Sequence, residues 1–265
     1  MLAPCSACFL NLSKADHYMS QYPDLERSAN TALAAGGLHY TPGSLQVRHL
    51  VDAVVNGIGL DAIKAKVVKP LSGLRVACYY GCLIVRPNIP GHTFDDPEYP
   101  THLDDLMSAL GAEVVDFPLK AHCCGGHMTQ ISADTAYELI YRLLRNAADY
   151  EADLLVTLCP MCQLNLDAYQ GQVNKHFGTN FHLPILYFTQ MMGLSFGLPP
   201  EQLGIGKEIV SAAEALKKIG AEVGPGLAPA RAGVELPKRR KKGDKALPMP
   251  KPARKGAARR GRVAA

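Results

Sequence analysis

Eight cysteines stand at positions 5, 8, 78, 82, 123, 124, 159 and 162, and all of them fall in close pairs. Five follow the pattern C-x40-C-C-x34-C-x-x-C, made by Cys82, Cys123, Cys124, Cys159 and Cys162. Thiolates are soft ligands that suit iron–sulfur clusters, zinc and Cu(I). In a C-x-x-C at the start of a helix, two sulfurs face one metal and the helix dipole favours the thiolate form. Gly125 and Gly126 follow the adjacent pair and let backbone N–H groups approach a cluster sulfur. Hydrogen bonds of that kind tune an iron–sulfur potential. Four thiolates close a structural zinc site, so five favour iron–sulfur, with zinc as the alternative. Cys5 and Cys8 form a second C-x-x-C, but no other cysteine pair remains to complete a site with them. They are free thiols, a redox dithiol or the remnant of a metal site, and the last reading is preferred. Cys78 reads as a buried spectator, because free Cys packs as a small hydrophobe.

The elements that position these thiols follow from hydrophobic spacing. Leu74–Tyr79 is a short apolar run ending near Gly81 and predicts a buried strand. Pro87–Pro100 is loop. Thr101–Leu110 has helical spacing, with Leu103, Leu106, Met107 and Leu110 on one face. A second strand is expected over Glu113–Phe117. A long helix begins at Ser132 or Asp134 and runs to about Tyr150, and Asp153–Leu158 is a third buried strand. Pro160 suits the first turn of a further helix. This β-α-β-α-β-α order predicts an α/β layer with a mostly parallel sheet. Ligands of such sheets bind beyond the carboxyl ends of the strands. Cys82, the Cys123–Cys124 pair and the Cys159/Cys162 pair each follow a strand, so five thiols are expected at one sheet edge.

The first 70 residues read as mainly helical, with helical spacing over Leu45–Val55 and Leu60–Val67 separated by Gly57 and Gly59. They also repeat part of the later chain. Cys5–Leu12 and Cys159–Leu166 both fit C-x-x-C-x-L-N-L, and Val47–Leu60 is similar to Ile185–Leu198. The offsets are 154 and 138 residues, a difference a loop absorbs. A counterpart of Cys124 in the first copy lies upstream of Met1, so the first copy is expected to be incomplete: a misplaced start, a fragment or a real loss.

Charge divides the chain. The 28 Lys/Arg and 24 Asp/Glu give a net +4. From Arg231 to Ala265, however, there are 13 basic and 2 acidic residues, a net of +11 that leaves −7 for residues 1–230. The basic character therefore belongs to the tail and does not mark the body as a nucleic-acid binder. Residues 224–265, rich in Pro, Gly, Ala, Lys and Arg, are expected to be disordered. Their Lys238–Lys242 run is a candidate contact for nucleic acid, anionic lipid or an acidic partner. No run reaches the ~18 apolar residues of a membrane span, and no leader is visible. Clustered Cys without a secretory signal point to metal or redox chemistry in the cytoplasm. No phosphate-binding or dinucleotide glycine motif is present.

Tyr79-Tyr-Gly-Cys-Leu-Ile-Val-Arg-Pro87, His122-Cys-Cys-Gly-Gly126 and Leu158-Cys-Pro-Met-Cys-Gln-Leu-Asn-Leu166 together resemble the cysteine-rich CCG domain of the heterodisulfide reductase B subunit. The similarity covers about Leu2 to Ile205. It implies a duplicated CCG-type α/β domain. The parts would be a partial, mainly helical first repeat at 1–70, a complete cluster-binding domain at 71–205, a helix at 206–223 and the tail at 224–265. It implies that Cys82, Cys123, Cys124, Cys159 and Cys162 bind a non-cubane [4Fe–4S] cluster at which a disulfide is reduced or formed. It also implies partners within a complex, an iron–sulfur protein (the C subunit) and a flavoprotein (the A subunit). His122 and His127 become candidates for protonating the released thiolates. Two other readings remain: an electron relay of a glycolate-, lactate- or succinate-type oxidoreductase, and a zinc-bound scaffold.

Overall fold

The computed structural model describes residues 1–223. The tail expected at 224–265 lies outside the described residues, and so does its basic run.

A strand β1 (Leu2–Ala3) leads into helices α1 (Ser6–Gln21) and α2 (Pro23–Ala34). Strand β2 (Arg48–His49) runs into a single turn α3 (Leu50–Asp52), a π-helical turn (Ala53–Ile58) and α4 (Leu60–Lys64). The second part begins with β3 (Arg75–Tyr79), α5 (His102–Ala109), β4 (Glu113–Val115), α6 (Met128–Ile131) and α7 (Ala133–Asp149). It continues with β5 (Leu154–Thr157), α8 (Pro160–Ala168), α9 (Gln170–Phe177), β6 (Ile185–Tyr187) and α10 (Phe188–Ser195). A 3-10 turn (Pro200–Leu203) and α11 (Ala213–Lys217) follow, so one short helix occupies the segment 206–223.

Four strands form a wholly parallel sheet in the order β4-β3-β5-β6. Its two central strands are buried throughout, apart from the half-buried Arg75, and alternate between two cores. Val76, Cys78 and Tyr80 pack with Leu103, Leu106 and Met107 of α5 and with Phe188 and Met191 of α10. Ala77 and Tyr79 pack on the other face with Ile140, Leu143 and Leu144 of α7 and with Leu166 of α8. Helices cover both faces, as parallel connections require. Cys78 is fully buried in the first of these cores, as a spectator should be.

The duplication is visible strand for strand. Leu2 pairs with Arg48 and Ala3 with His49. Val156 pairs with Leu186 and Thr157 with Tyr187. Moving β1 by 154 residues and β2 by 138, the two offsets read in the sequence, converts one set of pairs into the other. His49 and Tyr187 are thereby equivalent, and each precedes the helix that follows its strand. The units differ in cover. Val156 and Leu166 are fully buried, whereas their counterparts Leu2 and Leu12 are 57 % and 37 % exposed. β5 has a strand on each side, while among the described residues β1 pairs with β2 alone.

One expectation needs correction. Leu45–Val55 is not a helix: it holds β2 and then α3, and the backbone widens into the π turn before Gly59. Residues 48–49 are drawn into pairing by β1, a partner remote in sequence, which overrides their helical spacing.

His49 is fully buried, packed edge-on against Phe9 and stacked on Phe94. Its Nδ1 accepts from Val51 N–H at 3.2 Å. Burial pulls its pKa from 6.5 down to about 4. Between those values the unfolded chain binds a proton that the folded chain refuses. Stability is therefore full above pH 6.5 and falls as the pH drops toward about 4. The expected loss is about 3 kcal/mol for the metal-free protein. Urea titrations across this range should show a smaller loss for His49→Gln; equal losses in both proteins contradict the assignment.

Candidate metal centre

Three chain segments meet at the carboxyl edge of the sheet. Cys82 lies three residues beyond β3, Cys123 and Cys124 lie in the loop after β4, and Cys159 follows β5 with Cys162 one turn into α8. All five line one cavity of ≈ 270 Å³, together with Gly81, Leu83, Gly125, Gly126, Met128 and Met161. Cys124 Sγ stands 3.5 Å from Cys162 Sγ. The Cys123–Cys124 loop is tied to the end of β3. The Tyr79 hydroxyl donates to His122 O at 2.8 Å, and Tyr80 N–H and Gly81 N–H donate to Lys120 O at 2.8 and 3.1 Å. Arg86 donates to the carbonyl of Ala121. Lys120 is itself buried, with its ammonium 3.0 Å from the Asp104 carboxylate and over the Tyr99 ring.

Gly81 has φ +71°, and a Cβ there would stand 3.2 Å from Cys162 Sγ. Its bare Cα lets the loop after β3 close on that sulfur. Asn165, within the repeated C-x-x-C-x-L-N-L, is buried and donates from Nδ2 to Cys124 O at 2.5 Å. Its counterpart Asn11 is exposed. Removing a buried partner leaves the carbonyl unsatisfied, so Asn165→Ala is expected to cost about 1–3 kcal/mol. Urea denaturation of the metal-free variant checks this; a cost near zero contradicts the tether.

The thiols shift one another's pKa in opposite directions. Hydrogen bonding from Cys82 holds Cys123 down to about 6, helped by the Gly125 N–H, which donates to Cys123 Sγ at 3.3 Å. The Cys162 thiol lowers both Cys124 and Cys159, the latter to about 5, with help from the Met161 and Cys162 backbone N–H groups. Cys82 and Cys162 are pushed up in turn by their hydrogen bonds with those neighbouring thiols. A metal held by these thiols would replace those protons, since thiolate rather than thiol is the ligand.

The residues fit a cysteine-held metal centre. Tetrahedral coordination with metal–sulfur bonds near 2.3 Å spaces two sulfurs by about 3.8 Å, close to the 3.5 Å observed between Cys124 and Cys162. Among the described residues, no three ligating side chains already converge as a site for one ion. The five thiols line a single cavity.

The other candidates divide. His127 is exposed and lines the cavity. His122 is also exposed, but it lines a separate small recess with Leu119, Cys123, Leu139, Arg142 and Leu143. Cys8 is exposed and does not line the cavity. Cys5 does not stay with Cys8 as an isolated pair: its Sγ lies 3.8 Å from Cys159 Sγ. Burial pushes the Cys5 thiol up to about 11.

The family model for the CCG cysteine-rich domain matches residues 76–167. Over 221 residues the chain is 32 % identical to the B subunit of the ferredoxin:CoB-CoM heterodisulfide reductase of Methanosarcina mazei, covering 83 % of this chain and 73 % of that protein. The chain belongs to the CCG cysteine-rich family of the heterodisulfide reductase B subunit. It is also 34 % identical over 216 residues to the 8-methylmenaquinol:fumarate reductase membrane anchor subunit of Wolinella succinogenes, covering 80 % of this chain and 72 % of that one. Among the described residues no helix is long and apolar enough to cross a membrane. A crystal structure of a hypothetical protein from Helicobacter pylori shares the fold, with a TM-score of 0.59 at 13 % identity. That match covers 77 % of this chain and 36 % of the other. Family membership makes the chain a cysteine-rich redox subunit of a multi-subunit oxidoreductase.

Proposed function

We propose that this chain is the component of a heterodisulfide-reductase-like complex at which a disulfide is reduced or formed, and that Cys82, Cys123, Cys124, Cys159 and Cys162 hold a non-cubane [4Fe–4S] cluster. One observation carries the reading: five thiols from three segments at one sheet edge line a single cavity. Five ligands exceed the four of a cubane. Bound there, the cluster supplies the electrons for cleaving an S–S bond. The chain's own residues do the rest. Cys123 is exposed, so the cavity is open to a substrate on that side. Leu83, Met128 and Met161 give the wall an apolar, polarisable lining that suits alkyl thiols. Reduction of one disulfide takes two electrons and two protons, and His127 at the rim is the group placed to pass a proton to a departing thiolate. His122, facing its separate recess, is the lesser candidate.

Electrons reach the cluster from partners in the complex, an iron–sulfur protein (the C subunit) and a flavoprotein (the A subunit). All eight cysteines are free, as suits a reducing cytoplasm. The similarity to the Wolinella protein favours a second reading, an electron relay without disulfide chemistry. A zinc scaffold is the third, and five thiols exceed the four that close a structural zinc site. The deciding assay follows disulfide reduction by the iron-loaded chain with a chemical electron donor. Turnover that disappears in Cys124→Ala supports the first reading. A cluster that is reduced but leaves disulfides intact supports the relay.

A further inference from the structure

His49 and Tyr187 occupy equivalent places in the two repeated units, and by the offset of the cysteines so do Pro4 and Leu158. These residues meet crosswise. The Tyr187 hydroxyl of the second unit donates to the carbonyl of Pro4 in the first. The buried His49 ring of the first unit faces the carbonyl of Leu158 in the second, without closing a short hydrogen bond to it. Nδ1 of His49 accepts from Val51 N–H, so the ring proton sits on Nε2, the atom left to meet that carbonyl. A contact repeated in exchange between equivalent residues is the mark of a two-fold interface. The equivalent sulfurs of Cys5 and Cys159 stand 3.8 Å apart, as atoms beside such an axis do. The Tyr187 hydroxyl also lies 3.3 Å from Leu158 O, so one carbonyl is approached from both units.

We propose that His49 and Tyr187 are positioning residues of the metal centre, clasping across the junction of the two units the strand end that carries Cys159. Their role rests on the metal-centre reading above. Leu158 and Cys159 form the turn between β5 and α8, and Cys159 lines the cavity. The Leu158 carbonyl belongs to the peptide plane that joins the two residues, so holding it fixes the direction in which Cys159 leaves the strand. Little else holds this side of the turn. Cys159 N–H reaches Thr157 Oγ1 only at 3.4 Å, and Pro160 has no N–H to add. The two clasping residues are themselves pinned. Tyr187 N–H donates to Gln190 Oε1 at 2.7 Å, and the His49 ring lies between Phe9 and Phe94. Neither residue lines the cavity, so both act through Cys159. Groups that hydrogen-bond around a metal ligand orient it and tune the metal it holds.

The test is alkylation of the full, metal-free chain by iodoacetamide, with peptide mapping. Tyr187→Phe keeps the ring and loses the hydroxyl, so Cys159 should label ~5-fold faster or more as its turn loosens. Cys78, fully buried in the core of the same sheet, should stay unlabelled. His49→Leu should repeat this pattern, so a folding failure of one variant leaves the other to decide. His49→Gln keeps a donor for the Leu158 carbonyl and should hold Cys159 within ~2-fold of the wild-type rate. An unchanged Cys159 rate overturns the proposal. So does faster labelling of Cys78 together with Cys159, which marks general unfolding. After anaerobic loading with ferrous iron and sulfide, Tyr187→Phe should keep its iron and shift the g values of the EPR spectrum, because a turned ligand alters the cluster it holds. A spectrum identical to wild type overturns the proposal and leaves the metal-centre reading standing. A wild-type chain that takes up no iron overturns that reading, while the labelling, done without metal, decides the clasp by itself.

Discussion

Replacing Cys123 and Cys124 together by Ala is expected to lower bound iron from about four per chain to less than one. Cys124 is buried against the Cys162 sulfur, and Cys123 is positioned by the Gly125 amide and by Cys82. Their loss leaves three of the five motif thiols, on two of the three segments. Three ligands cannot supply the four thiolates that even a cubane uses. Cys124 belongs to the second core, so a urea titration of the metal-free double variant accompanies the iron analysis and shows whether it still folds. Iron and sulfide analysis after anaerobic loading reads the effect, with Cys8→Ala as the control that retains its iron. Retention of about four irons by the double variant contradicts the assignment of the site.

Gly125→Val should destabilise even the metal-free chain by about 2–5 kcal/mol. Gly125 has φ +85°, where an L-residue is strained. A Cβ at this position also falls 3.1 Å from Ala136 Cα and 3.4 Å from Ala136 O, backbone atoms of α7 that cannot move aside. Ala136 is fully buried, so α7 has no room to retreat. The residue after Cys124 must be glycine so that the loop can pass close over α7 and still aim both sulfurs into the cavity. A urea midpoint is the measurement. A loss below about 1 kcal/mol, roughly the conformational cost of losing glycine alone, contradicts the close approach.

Much of this was legible in the sequence because the second unit is built from strong signals. β3 and β5 are continuous apolar runs buried on both faces, and α7 carries a full stripe of Ala136, Ile140, Leu143 and Leu144, so their limits fall within a residue or two of expectation. Convergence of the five thiols followed from the rule about strand ends. β1, β2 and β6 are only two or three residues long, too short to show a period. β2 in particular forms because β1 pairs with it across some 45 residues of chain. The residues that hold the thiol loops were also hidden. Tyr79, Lys120 and Arg86 act on or through backbone carbonyls, which impose no spacing on the sequence. Asn165 did carry a signal, since it lies in the repeated C-x-x-C-x-L-N-L, but only the second copy gives that Asn a buried partner. The approach of Cys5 to Cys159 depends on how two units pack, which neither repeat records alone.

The most direct test of the account is the metal content of the chain purified without oxygen, measured as iron, acid-labile sulfide and zinc together with an EPR spectrum. The account predicts about four irons and four sulfides per chain and a paramagnetic cluster signal in one redox state. Zinc bound without iron or sulfide contradicts it and makes the five thiols a structural site.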